Sequence, residues 1–339
     1  MQLNHWCIDA NSIEKQQAGL LAPLSSLDFM LEIKSRLGIS DELLPTYLEE
    51  IASTLASAAF KLHYPRPGAS ELISADFQTV ESAMTEGHPG FVANNGRIGF
   101  DATDYQQYAP ELGNTIKLVW LAVSKKNAEF SASATLDYQQ LLQQELSASC
   151  RQAFEQQLQQ LGLAHDDYYF MPVHPWQWSN KLITVFAQDI ANRQMVLLGE
   201  AEDDYQAQQS IRTFFNRSQG HKCYVKTALS IVNMGFMRGL SPYYMASTPA
   251  INDWLATLVA QDPFLKTTGF SLLKEIAAIG YRSPLLERAC AQHSPYRKML
   301  STLWRESPQP QLNANQRLMT MAALLHIDKD GKALLDPMV

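Results

Sequence analysis

Cysteine is scarce: only four of 339 residues, Cys7, Cys150, Cys223 and Cys290, and no two form a Cys-x-x-Cys pair. That spacing excludes a zinc ribbon or a disulfide framework. It reads instead as small buried apolar side chains in a reducing compartment. Long apolar runs are missing as well. No stretch approaches the roughly 20 apolar residues that span a bilayer, and the first nine residues lack a basic start followed by an apolar segment. A soluble, cytoplasmic protein with no membrane partner is expected. Positive charge is in deficit, the net charge being -7. Nucleic-acid binders concentrate Lys and Arg on one face, so that partner is excluded, although a few cations converging in a cleft can hold a small anion. There is no Walker loop, no G-x-G-x-x-G, no G-x-S-x-G and no H-E-x-x-H, and no motif marks a metal site.

What is present is ordinary globular material, 46% hydrophobic and 18% charged, enough for a substantial core. Helical spacing predicts two helices over 23–61, divided at Gly38 and Ser40, and a third over 75–85. β-branched and aromatic residues predict a buried strand over 116–123, and a Gln-rich helix follows over 138–161. Beyond it come a strand over 168–173, a helix over 175–186 and a strand over 195–198. Runs 210–215 and 223–232, joined by the polar turn 216–220, predict a β-hairpin or meander. Segments 249–260, 271–279 and 316–325 mix helix and strand signals, and 328–332 reads as a turn. No βαβ period emerges. The expected class is therefore α+β, mixed helices with a largely antiparallel sheet, divided into a mainly helical portion over 1–86 and an α+β nucleotide- and substrate-binding portion over 87–339.

Three stretches carry candidate chemistry. In residues 87–100, glycines and the amides Asn94 and Asn95 surround His88 and Arg97. Such a loop brings backbone N–H groups and a guanidinium to an anion, and it also suits a plain Gly-rich turn with a structural Arg. In His174-Pro175-Trp176-Gln177-Trp178, His174 and Gln177 can face a ligand between tryptophan walls. Equally, a Pro in the first helical turn marks a strand-to-helix junction. The third stretch has the strongest physical basis. Alternation puts Ser210 and Arg212 on one strand face, and Lys226, Ala228 and Ser230 on one face of the next strand. With Arg238 closing the group, three cations and several hydroxyls suit a triphosphate. A solvated polar sheet face is the alternative.

Together these stretches resemble the IucA/IucC family, the NRPS-independent siderophore synthetases. The resemblance runs from His5-Trp6 through Leu44-Pro45-Thr46-Tyr47-Leu48-Glu49-Glu50 to Leu325-His326. Glu86-Gly87-His88-Pro89 with residues 91–100 is similar to the hydroxamate branch, which makes desferrioxamine, alcaligin, bisucaberin and putrebactin. The citrate-using branch has a second His-Pro and a Lys where Phe91-Val92 and Asn95 stand here, so citrate is not the expected substrate. The resemblance implies the fingers-like portion of a synthetase. Such an enzyme activates the carboxylate of an N-hydroxy-N-succinyl diamine with ATP, then forms an amide from the acyl adenylate and a primary amine. It implies Ser210, Arg212, Thr213, Lys226 and Arg238 around the ATP phosphates, with Lys226, Arg238 and His88 catalytic. Asn94, Asn95, Arg97, His174 and Gln177 would be substrate-binding. It further implies magnesium, a homo-oligomer in the full-length enzyme, and a fragment incomplete at both ends, with the magnesium ligands in a missing C-terminal portion. A truncated, non-catalytic remnant and an unrelated phosphate-ligand module are the other readings.

Overall fold

The computed structural model describes residues 8–88, 90–328 and 330–334. His5-Trp6, Cys7, Pro89, Lys329 and the last five residues lie outside that range. The chain forms two units. The first comprises the chain up to His63, Gly87–Ile98 and Asn233–Gly235; the second comprises Tyr64–Glu86, Gly99–Val232 and the chain from Phe236 onward.

In the first unit, strands β1 (Lys15–Gln17) and β2 (Leu20–Ala22) pair antiparallel, followed by α1 (Ser26–Leu37) and α2 (Leu44–Leu62). These are the two helices expected over 23–61. The Ser25 hydroxyl accepts the Asp28 N–H to start α1, and Gly38, at φ 69°, ends it in the left-handed conformation that costs glycine least. Met30, Ile51 and Ala93 form the core of this unit, with Leu27, Ile33, Tyr47 and Leu48 packed on it.

The second unit opens with α3 (Ala69–Leu72), α4 (Phe77–Ala83) and α5 (Ala102–Tyr108). The helix expected over 75–85 is α4, shortened because the Asp76 carboxylate caps it by accepting the Thr79 N–H. Next come β3 (Thr115–Ile116), β4 (Val119–Ser124) and β5 (Ala128–Ala132), then α6 (Tyr138–Glu145), α7 (Ala148–Gln160) and β6 (Tyr168–Val173). The single helix expected over 138–161 is two, because Leu146 turns extended and the Ser147 side chain caps α7. The helix expected over 175–186 is broken into α8 (Pro175–Gln177), a π turn at Trp178–Leu182 and α9 (Ile183–Val185), with α10 (Ala187–Ala191) after it. The chain continues through β7 (Met195–Glu200), β8 (Tyr205–Ala207), β9 (Thr213–Asn216), β10 (Tyr224–Thr227), β11 (Leu229–Asn233) and β12 (Phe236–Arg238). Last are α11 (Pro242–Gln261), α12 (Pro263–Thr268), β13 (Glu275–Tyr281), α13 (Pro284–Ala289) and β14 (Ser301–Arg305). The mixed signals over 249–260 and 271–279 resolve into α11 and β13, whereas 316–325 holds only a short 3-10 turn. Asp328 and Lys332 close the expected turn through a backbone hydrogen bond of 2.9 Å.

The strands form a seven-stranded sheet in the order β3-β8-β9-β10-β14-β13-β5 and a three-stranded sheet in the order β6-β4-β7. All their pairings are antiparallel, so the class is α+β. The strand expected over 116–123 is shared between the two sheets, β3 in the larger and β4 in the smaller. Period two then sorts the faces of the large sheet. Phe214, Val225, Trp304, Ala277 and Ile279 point into the main core with the strands of the small sheet and with α6 and α7. Thr213, Phe215, Tyr224, Lys226, Leu303, Arg305 and Glu275 share the opposite, outer face by register. Cys150 and Cys223 are buried, Cys290 half-buried, and all three are unpaired. No helix among the described residues is long and apolar enough to cross a membrane.

Candidate functional site

Ser210 and Arg212 do not share a strand face, because β9 begins only at Thr213. Residues 208–212 are instead the loop of the β8–β9 hairpin, closed by Gln208 N–H donating to the Thr213 carbonyl at 2.8 Å and Ile211 N–H to Gln208 at 2.7 Å. Ile211 sits at φ 63°, left-handed geometry that a β-branched residue adopts only when its surroundings demand it. What demands it is burial: Ile211 is 4% exposed in a cluster with Trp176, Leu229 and Ile231. Anchoring Ile211 downward turns Ser210 outward, where its hydroxyl accepts the Thr213 N–H at 3.2 Å. It also sends Arg212 toward β12, where Nη1 donates to the carbonyls of Arg238 (2.8 Å) and Gly239 (2.7 Å).

Arg212 is thereby held beside Arg238. Burial lowers the Arg212 pKa to about 10, and the Arg238 charge pushes it the same way. Burial also lowers the Arg238 pKa. Both stay cationic at neutral pH, and among the described residues neither has a carboxylate partner within 4.0 Å. Two half-buried like charges brought together, with no carboxylate partner among the described residues, can hold an anion.

Lys226, Ala228 and Ser230 do not share one face either. β10 ends at Thr227, Ala228 donates its N–H to the Ser301 carbonyl, and β11 leaves to pair with β12. Lys226 lies on the outer sheet face opposite Thr213, and its Nζ is 3.5 Å from Glu275 Oε1. Glu275 went unnoticed in the sequence. Its signal was a lone carboxylate opening an apolar strand, legible only once β10, β14 and β13 are known to be neighbours.

His174 and Gln177 come from the β6-to-α8 junction, and both are buried, at 0% and 1% exposure. The His174 Nδ1 accepts the Trp176 N–H at 3.0 Å, which places the ring proton on Nε2, and Nε2 has no partner among the described residues. Tyr108 and Phe214 pack against the ring, and burial pushes its pKa down to about 3, so it is neutral. Gln177 is fully engaged: Nε2 donates to Ser230 Oγ and the Met299 carbonyl, each at 2.9 Å, and Oε1 accepts the Ser230 N–H at 2.8 Å.

His88, Asn94, Asn95 and Arg97 belong to the first unit. There the His88 ring is exposed, its Nδ1 accepting the Gly90 N–H at 3.0 Å, and the Asn94 amide donates to the His88 carbonyl at 3.2 Å. Gly87 is required for this fold of the loop, since a Cβ there would lie 2.3 Å from Asn94. Arg97 is buried, with its backbone N–H donating to Ser53 Oγ on α2 at 2.9 Å.

Residues 76–326 match the model of the IucA / IucC family. The chain is 54% identical over 338 residues to putrebactin synthase of Shewanella sp. (strain MR-4), covering 100% of this chain and 54% of that protein. Petrobactin biosynthesis protein AsbB from Bacillus anthracis str. Sterne, a solved structure, shares the fold with a TM-score of 0.86 at 30% identity, over 95% of this chain and 52% of that one. Aerobactin synthetase IucC from a hypervirulent pathotype of Klebsiella pneumoniae does so with a TM-score of 0.79 at 31% identity, over 93% and 55%. The chain spans about half the length of these relatives. With the family match running through every element of the second unit that builds the paired arginines, the chain belongs to the IucA / IucC family.

Proposed function

We propose that this chain carries the phosphate-binding part of an ATP-dependent siderophore synthetase, an amide-forming ligase. Its substrate is the carboxylate of an N-hydroxy-N-succinyl diamine, activated as the acyl adenylate with release of pyrophosphate and then attacked by a primary amine. The observation that carries this reading is the half-buried pair Arg212 and Arg238, without a carboxylate partner among the described residues, at the end of a strained hairpin loop. Similarity to putrebactin synthase supports the siderophore class.

The chemistry needs no covalent nucleophile. Adenylation accumulates negative charge on the α-phosphate and on the departing pyrophosphate, and cations fixed in advance lower the energy of that charge without reorganising. Arg212 and Arg238 supply the fixed cations, Lys226 a third, and the hydroxyls of Ser210 and Thr213 complete the donor set. In the second unit His174 is a proposed contact to the acyl substrate; His88, Asn94, Asn95 and Arg97, whose roles come from the family resemblance, belong to the first unit. We assign Gln177 a positioning role, because its amide is already spent on Ser230 and Met299. Among the described residues no group of three His, Cys, Asp or Glu side chains can hold a metal ion. Magnesium would enter with the ATP phosphates, which demand few protein ligands, and what these residues themselves supply is the fixed cations.

Calorimetric titration of ATP tests the assignment. Arg238→Ala and Lys226→Ala each remove a charge-assisted contact and should weaken ATP roughly tenfold or more. Unchanged affinity in both variants would sink the site.

A further inference from the structure

We propose that Arg305 is a further anion-binding residue on the outer face of the seven-stranded sheet, taking a phosphate or carboxylate oxygen of the same ligand that Lys226 contacts. This rests on the phosphate-site reading above. The register provides the first observation. Lys226 on β10 stands opposite Leu303 on β14, and Arg305 is two residues further along β14, hence on the same face. Diagonal neighbours of this kind have Cα atoms about 7–8 Å apart, within joint reach of two long side chains.

The second observation is the state of the guanidinium. The Arg305 guanidinium lies over the Tyr224 ring, with Cζ 4.7 Å from the centroid, a cation–π contact that uses none of its N–H donors. Its Nε is buried and without a hydrogen-bond partner, and among the described residues the guanidinium has no carboxylate within 4.0 Å.

The carboxylates that should have neutralised it are committed elsewhere. Glu275 is paired with Arg305 across β13 and β14, yet its carboxylate reaches Lys226 at 3.5 Å. Glu306, next along the chain, accepts the Lys274 N–H at 2.9 Å. A half-buried arginine with an unsatisfied Nε and no carboxylate partner among the described residues, one diagonal step from a lysine of the phosphate site, is a built anion contact. The competing role, a flat cover for Tyr224, would use the stacking but leave Nε unsatisfied at a cost.

The test is calorimetric titration of wild type, Lys226→Ala, Arg305→Gln and Arg305→Lys with three probes: inorganic pyrophosphate, ATP, and N-hydroxy-N-succinyl cadaverine. Thermal unfolding checks that each variant folds. Arg305→Gln should weaken at least one probe roughly tenfold or more, with a shallower salt dependence, and Arg305→Lys should restore only part of it because the fork is lost. Loss on pyrophosphate and ATP identifies a phosphate as the ligand; loss confined to the hydroxamate identifies its carboxylate. If the Gln variant does not fold, Arg305→Lys carries the comparison alone, and wild-type affinity for all three probes overturns the inference. Arg305→Gln binding every probe like wild type, while Lys226→Ala does not, overturns the role of Arg305 and leaves the phosphate site standing. If wild type binds none of the probes, or Lys226→Ala changes nothing, the phosphate reading falls and this inference with it.

Discussion

Ile211 concentrates the conflict on which the site depends. A left-handed backbone costs an L-residue about 1–2 kcal/mol, more for a β-branched one, whereas burying an isoleucine side chain stabilises by about 1.5–3 kcal/mol. Burial wins, and the loop is pinned with Ser210 and Arg212 on either side of the strained residue. Ile211→Gly removes the strain together with the side chain, and core truncation costs about 2–5 kcal/mol. The net expectation is a loss of about 1–3 kcal/mol in denaturant unfolding, accompanied by weaker ATP binding as Arg212 loses its anchor; a stabilised variant would contradict the argument. Alternation alone could not reveal this residue. An Ile between Ser and Arg fits a strand equally well, and only the carbonyl of Thr213 accepting from Gln208 shows that the chain has already turned.

Among the elements, the β11–β12 hairpin turns through Met234 at φ 55° and Gly235 at φ 75°, both left-handed, as two-residue hairpin turns of the primed type require. Glycine suits the second position, but methionine is a poor occupant of the first. Met234→Asn should raise stability by about 0.5–1 kcal/mol, and Gly235→Ala should lower it by a similar amount, both read from chemical unfolding. The α11–β13 contact is tighter. A Cβ on Gly280 would lie 2.7 Å from Pro242 at the start of α11, so Gly280→Ala should cost about 1–3 kcal/mol by forcing helix and sheet apart. A lowered urea midpoint with an unchanged slope would confirm it. Helix ends were legible wherever a cap is spelled out, as at Ser25, Gly38 and Asp76. The break between α6 and α7 was not, because Leu146-Ser147 also fits a continuous helix.

For the molecule as a whole, two buried titratable groups set opposing limits on the pH of greatest stability. Burial raises the Glu145 pKa from 4.5 to about 7, its Oε1 accepting the Cys223 N–H at 3.2 Å while Oε2 lacks a partner among the described residues. Its folded form holds the proton more tightly than the unfolded chain does. The associated stability is therefore complete below pH 4.5 and lost as pH rises to 7, on the order of 3 kcal/mol. His174 acts at the acid end. With its pKa lowered from 6.5 to about 3, the unfolded chain binds the extra proton first, so stability falls as pH drops from 6.5 toward 3. Glu145→Gln keeps the acceptor for Cys223 and removes the titration. It should stabilise the protein at pH 8 and flatten the stability profile above about pH 5 in thermal unfolding; an unchanged alkaline limb would refute this.

The sequence by itself determined the α+β class, the helices over the early chain and the strand over 168–173. Local periodicity and cap chemistry act within a few residues and need no knowledge of distant partners. Tertiary structure decided the rest. That Ser210 leaves the strand depends on the pocket between Trp176, Leu229 and Ile231 into which Ile211 must fit. That Lys226 meets Glu275 depends on β14 lying between β10 and β13, an order set by sheet assembly across roughly fifty residues of chain. Which charges are paired follows from that order, because neighbouring strands bring together side chains that sequence spacing keeps apart.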